Sequence, residues 1–252
     1  MVETPVIVKE IHAKGILSKS RVLEYTINPY VGCEHACTYC YARFMKRFTG
    51  HREAWGSFVD VKINAADLLQ RAVKKKRVGR VWISGVCDPY QPVEAEYELT
   101  RHCLEILLAR RWPITVQTKS PLVERDLDLL REFSDVEVGL TITTADEQVR
   151  KIFEPHSPSI DDRIKTLDTL HSSGLMTFAM IAPLLPNAER LVSQLRGKVD
   201  NVLIDRMNYH HADWIYRNHG LVYANTNRFF AQKKAEMADA LRREGIPHQF
   251  LF

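Results

Sequence analysis

Glycine and proline are scarce, 11 of each among 252 residues, which excludes collagen-like and low-complexity structure. Cysteine is scarcer: five residues, unevenly placed, cannot build a disulfide framework. No apolar run can span a bilayer; the longest, Leu175 to Leu185, is broken by Thr177 and Pro183, so no membrane association is expected. Met-Val-Glu-Thr-Pro at the N-terminus has no charged head followed by an apolar stretch, so no secretory signal is visible and a cytoplasmic location is expected. No two glycines stand two residues apart, which removes G-x-G-x-x-G, and G-K-[ST], G-x-S-x-G and H-E-x-x-H are absent too. Ordinary nucleotide-binding, hydrolase and zincin readings lose their main support. Neither sign of charge dominates: 35 Lys+Arg against 31 Asp+Glu leave +4, too mild to prove a polyanionic partner. The run Lys74-Lys75-Lys76-Arg77 with Arg80 reads as a solvated helix end.

What is present is the balance of a globular protein, 45% apolar and 26% charged. That length accommodates one large α/β domain or two small ones. Short β-rich runs alternate with amphipathic ones. Strands are predicted at Glu24–Ile27, Val81–Ile83, Ile114–Val116, Val136–Thr143, Met176–Ala182 and Val202–Ile204. Helices are predicted from Asn64 with Asp67 (carrying Leu68, Leu69, Ala72 and Val73) and over Leu99–Arg110, Leu122–Leu130, Asp146–Phe153, Ser159–His171, Asn187–Leu195 and Phe229–Arg243. Such alternation implies a parallel sheet with right-handed crossovers, doubly wound or partly closed into a barrel.

The informative segment is Asn28-Pro29-Tyr30-Val31-Gly32-Cys33-Glu34-His35-Ala36-Cys37-Thr38-Tyr39-Cys40-Tyr41-Ala42-Arg43. Three thiols spaced C-x3-C-x2-C lie near one another by chain reach alone, and soft sulfur selects iron–sulfur clusters or zinc. A [4Fe–4S] cubane usually takes four thiolates, so three would leave one iron open. Zinc held by the three cysteines and His35 is the rival, although His35 lies between two ligands with little slack to close a tetrahedron.

C-x3-C-x2-C with an aromatic, Tyr39, just before the last cysteine resembles the signature of the radical S-adenosylmethionine (radical SAM) superfamily. The likeness extends to the branch that includes spore photoproduct lyase. It is carried by Ser84-Gly85-Val86-Cys87-Asp88-Pro89-Tyr90-Gln91-Pro92, Thr118-Lys119-Ser120, Phe153-Glu154-Pro155, Asp162-Arg163 and Ala182-Pro183. The resemblance implies a partial (β/α)6 TIM-like barrel over a single radical SAM domain, 1–252. Residues 1–23 would be an N-terminal extension, 24–206 the barrel core and 207–252 a C-terminal segment packing on it. It implies a [4Fe–4S] cluster on Cys33, Cys37 and Cys40, with SAM on the open iron. Reductive cleavage would then yield a 5′-deoxyadenosyl radical that abstracts hydrogen, fed by an electron donor such as flavodoxin or ferredoxin.

In a barrel, functional groups gather at the C-terminal ends of the strands, and the polar landmarks fall there in the predicted order. By resemblance Lys119 pairs with the SAM carboxylate, and Ser84, Cys87 and Asp88 lie in the cofactor pocket, the last two near the methionyl amino group. Thr141 meets a ribose hydroxyl, Ala182 offers backbone contacts to adenine, and Tyr39 approaches the same base. The hydrogen-donor cysteine of the lyase matches Gly85, two residues before Cys87. Cys87 is therefore the candidate catalytic thiol, or else a substitute for a small polar SAM contact. Cys103, on the stripe of Leu99 and Ile106, reads as core, His210-His211 as a surface loop, and Trp82, Trp112 and Trp214 as core or rim. Three functions stay open: a nucleic-acid lesion lyase, a modifier of RNA, peptide or metabolite, and a non-catalytic iron–sulfur or zinc module.

Overall fold

The computed structural model describes residues 5–252, which fall into two compact units. The first holds the chain up to Ala36 and Ala42–Val138; the second holds Cys37–Tyr41 and Gly139–Phe252.

The strands of the first unit are β1 (Ile7–Ile11), β2 (Ser18–Lys19), β3 (Tyr25–Ile27), β4 (Tyr30–Val31), β5 (Phe58–Lys62), β6 (Val81–Ile83), β7 (Ile114–Thr118) and the start of β8 (Val136–Thr141). β3, β6 and β7 pair in parallel, Ile27 opposite Ile83 and Ile83 opposite Val116, and all three of these side chains are fully buried. Apolar runs with both faces covered are what parallel strands require. A second sheet, ordered β1-β5-β4, was not predicted. Ile7 pairs in parallel with Phe58, and Tyr30 pairs antiparallel with Val61. The helices are α1 (Ala65–Val73), α2 (Glu94–Tyr97), α3 (Leu99–Ala109) and α4 (Leu127–Leu130). Ala65, Leu69 and Val73 give α1 its buried i, i+4 stripe, and Cys103, Leu104 and Leu107 do the same for α3, so Cys103 is core.

Asn64 precedes α1 as predicted, its carbonyl accepting from Leu68 N–H at 3.1 Å, while its carboxamide donates to Ala13 O (3.0 Å) and accepts from Ala13 N–H (2.9 Å). One local expectation needs correction. The predicted helix Leu122–Leu130 is a 3-10 segment, Pro121–Asp126, followed by the short α4; Ser120 caps it by accepting from Leu122 N–H at 3.2 Å. The lysine run follows α1 and is exposed, as expected of a solvated helix end.

The second unit continues β8 and adds α5 (Glu147–Phe153), α6 (Ile160–Ser172), β9 (Met176–Ile181), α7 (Leu191–Leu195), β10 (Asn201–Ile204), α8 (Asp213–Asn218), α9 (Asn227–Arg243) and β11 (His248–Phe250). Asp146, Ser159 and Thr226 cap α5, α6 and α9 through their side chains. β9, β10 and β11 are parallel, Leu203 opposite both Met180 and Gln249. β11 was missed because His-Gln-Phe is not an apolar run and none of its three residues is buried. Beyond the strands, Leu184 N–H donates to Asp205 O (2.8 Å) and Leu185 N–H to Thr143 O (3.1 Å), so the segments leaving β8, β9 and β10 are joined. No helix of the described residues is long and apolar enough to cross a membrane.

Candidate functional site

In the first unit the ends of β3 and β6 are locked together. Asn28 Oδ1 accepts from Gly85 N–H (2.9 Å) and Val86 N–H (2.8 Å), and the buried Ser84 hydroxyl donates to Ile27 O (3.1 Å). The chain then runs through β4 to Gly32, where φ is +95° and a Cβ would lie 2.2 Å from Phe58 O. Only glycine passes there. Cys33, next in line, is buried and held from both sides by one fully buried side chain: Gln91 Nε2 donates to Gly32 O (3.2 Å), and Gln91 Oε1 accepts from Glu34 N–H (2.9 Å). The Glu34 carboxylate returns the bond, accepting from Val93 N–H at 2.7 Å.

Asp88, just beyond β6, gathers the rest of this unit's polar rim. It accepts from Tyr90 N–H (2.9 Å), the Thr118 hydroxyl (2.5 Å) and Lys119 N–H (2.8 Å), and His35 Nε2 lies 3.2 Å from its Oδ2. Burial alone would raise its pKa; the His35 ring, the Thr118 hydroxyl and the Lys119 ammonium outweigh that and hold it down to about 2. The carboxylate is thus charged and largely occupied by the chain's own donors, which makes it an organiser of the rim. Cys87 is partly buried and packs on the apolar cluster of Tyr30, Val59, Val61, Val93 and Leu99. Burial pushes its thiol up to about 11 against the opposing pull of Ser84 and Lys62, so the S–H stays intact at neutral pH.

In the second unit Cys37 is buried and Cys40 partly so, and the turn between them closes through Cys40 N–H to Cys37 O (3.1 Å). Thr38 anchors that turn at the end of α5, donating to Phe153 O from its N–H (2.9 Å) and its hydroxyl (3.2 Å). The Tyr39 hydroxyl donates to the fully buried Glu154, which also accepts from Thr143 Oγ1 at 3.1 Å. Burial first, then the neighbouring anionic groups, push the Tyr39 phenol far up, so it stays a donor. Thr141 is buried, and its carbonyl accepts from Arg163 Nη1 at 3.0 Å. Ala182 is partly buried just after β9.

Each unit therefore gathers its share of the predicted residues at strand ends: Cys33, Ser84, Cys87, Asp88 and Lys119 in the first, Cys37, Tyr39, Cys40, Thr141 and Ala182 in the second. His210 and His211 stand on a 3-10 turn, His210 exposed; Trp112 is core and Trp214 half-exposed. Sequence reasoning assigned no role to Gln91, Glu34, Glu154 or Arg163. All four stand in segments that carry the cysteine spacing or the family resemblance, and a glutamine or glutamate between an aromatic residue and a proline is the available signal for Gln91 and Glu154.

No disulfide joins any of the five cysteines. Three thiols on one irregular loop suit a cluster in which each thiolate takes its own iron. The zinc alternative needs the His35 ring as fourth ligand; that ring is buried, with Nε2 3.2 Å from Asp88 Oδ2. Among the described residues no three His, Cys, Asp or Glu side chains are grouped to hold a single metal ion.

The model of the Radical SAM superfamily matches residues 27–191. An uncharacterized protein of Methanocaldococcus jannaschii is 41% identical over 181 residues, covering 71% of this chain and 68% of that one. An uncharacterized protein of Mycobacterium tuberculosis is 30% identical over 185 residues, 69% of this chain but only 54% of the relative, so the chain spans about half of that protein's length. Among solved structures, spore photoproduct lyase complexed with dinucleoside spore photoproduct superposes with a TM-score of 0.69 at 16% identity, over 97% of this chain and 82% of that one. Streptococcus suis SuiB bound to S-adenosylmethionine gives 0.55 at 12% identity, over 99% and 51%. These likenesses show the fold, a partial TIM-like barrel of parallel strands.

Proposed function

Because the chain belongs to the radical SAM superfamily, a family of enzymes, we propose that Cys33, Cys37 and Cys40 hold a [4Fe–4S] cluster whose remaining iron receives SAM. The observation that carries the reading is that the family match spans the one loop where three thiols fall within eight residues. When bound, the pair supplies a 5′-deoxyadenosyl radical for hydrogen abstraction from a substrate that stays unassigned. The chain's own contribution is placement. Gln91 and Glu34 hold the loop at Cys33, and Thr38 and Tyr39 hold it between Cys37 and Cys40.

Around SAM we assign Lys119 to the carboxylate, Ser84, Cys87 and Asp88 to the methionyl end, Thr141 to the ribose, and Tyr39 and Ala182 to the adenine. A fixed ammonium facing a carboxylate makes a charge-assisted bond, the strongest kind available here. Asp88 acts mainly through its neighbours, keeping the Lys119 main chain fixed at the end of β7. Cys87 is the proposed hydrogen donor to a substrate radical, on the ground that it stands beyond the end of β6, one residue before Asp88, with its S–H intact. Residues 1–252 are read as one radical SAM domain with a barrel core at 24–206, reduced by a flavodoxin- or ferredoxin-like carrier.

A second reading, a nucleic-acid lesion lyase, is favoured by the higher TM-score to spore photoproduct lyase than to SuiB. Against it stands Gly85, where the lyase-type donor cysteine is expected. The test is anaerobic reconstitution: about four irons per chain and a visible charge-transfer band in the wild type, both lost when the three cysteines become alanine. A triple variant that keeps its iron would sink the assignment.

A further inference from the structure

Glu154 and Arg163 form an ion pair with both side chains fully buried, Arg163 Nη1 to Glu154 Oε2 at 2.7 Å. Such a pair is weak evidence for stability, since desolvating two charges offsets most of their attraction. Its placement calls for another explanation. The Glu154 carboxylate accepts from the Tyr39 hydroxyl, from Thr143 Oγ1 (3.1 Å) and from Ser157 Oγ (3.3 Å). Arg163 in turn donates to Thr141 O (3.0 Å) and Pro158 O (2.8 Å). The preceding residue, Phe153, takes both bonds from Thr38. Tyr39 is thus tied through one carboxylate and one guanidinium to the end of β8, and Thr38, through the Phe153 carbonyl, to the end of α5.

We infer that Glu154, fixed by Arg163, is a positioning residue that sets the Cys37–Cys40 turn against the end of β8 at Thr141 and against Thr143 just beyond it. The inference rests on the reading that these cysteines hold the cluster. Removing the Tyr39 hydroxyl cuts the link at its loop end and leaves the ion pair in place. Removing the Glu154 charge cuts it at its centre and leaves Arg163 buried without its counter-ion, the more disruptive change.

The experiment compares wild type, Tyr39→Phe and Glu154→Gln in two states. In the metal-free full chain, iodoacetamide alkylation is followed residue by residue by mass spectrometry. Tyr39→Phe should raise the rates at Cys37 and Cys40 at least threefold while Cys103, in the core of α3, is unchanged. In the reconstituted, reduced protein, Tyr39→Phe should retain its iron but show a shifted or broadened paramagnetic spectrum on adding SAM, with SAM affinity about tenfold weaker. Should Glu154→Gln fail to fold, Tyr39→Phe still decides the matter. Unchanged alkylation rates at Cys37 and Cys40 in Tyr39→Phe would overturn the inference whatever the SAM-dependent spectrum shows, because Tyr39 is itself assigned to the adenine. A wild-type protein that takes up no cluster would instead overturn the cluster reading, while the alkylation pattern would still report whether Glu154 and Tyr39 hold the turn.

Discussion

Replacing Asp88 with Asn keeps the side chain's size and removes its charge. The Asp88 side chain is 8% exposed, and its pKa falls from an ordinary 3.8 to about 2, so ionised Asp88 contributes on the order of 2 kcal/mol at pH 7. The folded value is the depressed one, so this stabilisation is complete above about pH 4–5 and is lost as pH falls through about 2. At pH 3 about half of it remains. Asn cannot replace the interaction, because its NH2 would face either Lys119 N–H and the His35 ring or Tyr90 N–H and the Thr118 hydroxyl. Urea unfolding of the metal-free chain should therefore show Asp88→Asn destabilised by about 2–4 kcal/mol at pH 7. The gap from wild type should narrow by about 1 kcal/mol at pH 3. Equal stability at pH 7, or a gap that stays constant down to pH 3, would refute the view of Asp88 as a charged organiser.

The remaining predictions concern the loop and the pocket. Gln91→Leu strands Gly32 O and Glu34 N–H in a buried place; it should cost about 2–4 kcal/mol in the same unfolding assay and lower the iron bound per chain. Lys119→Ala should leave the iron content intact and weaken SAM binding by about 1.5–3 kcal/mol, read by equilibrium titration. Equal affinity would remove Lys119 from the site. Cys87→Ser should keep SAM cleavage but leave 5′-deoxyadenosine release uncoupled from product once a substrate is found; full product yield would end the hydrogen-donor role.

The parallel sheet was legible because its strands are short runs rich in β-branched and aromatic residues with at least one buried face, and such runs stand out between amphipathic helices. The β1-β5-β4 sheet was not. β1 reads Ile-Val-Lys-Glu-Ile and is mostly exposed, and β5 buries Asp60, whose charge is met by His51 Nε2 at 2.8 Å. A charged residue in a buried strand is readable only once its partner is known. The cysteine loop was legible for the opposite reason: its ligand spacing is local and chemically specific. What holds that loop was hidden. Gln91 meets Glu34 across 57 residues, and Tyr39 meets Glu154 across 115. No local pattern encodes such a pairing. Asn64 illustrates the same limit on a small scale, an ideal capping residue by type whose amide is committed to Ala13, 51 residues away.

The central claim is that this chain reduces and cleaves SAM at a three-cysteine cluster. The most direct measurement is 5′-deoxyadenosine formed from SAM by the anaerobically reconstituted, dithionite-reduced protein, alongside Cys33→Ala, Cys37→Ala and Cys40→Ala. The account predicts release by the wild type and none above background from each variant. A fully loaded wild type that releases no 5′-deoxyadenosine, or a cysteine variant that releases as much, would contradict it.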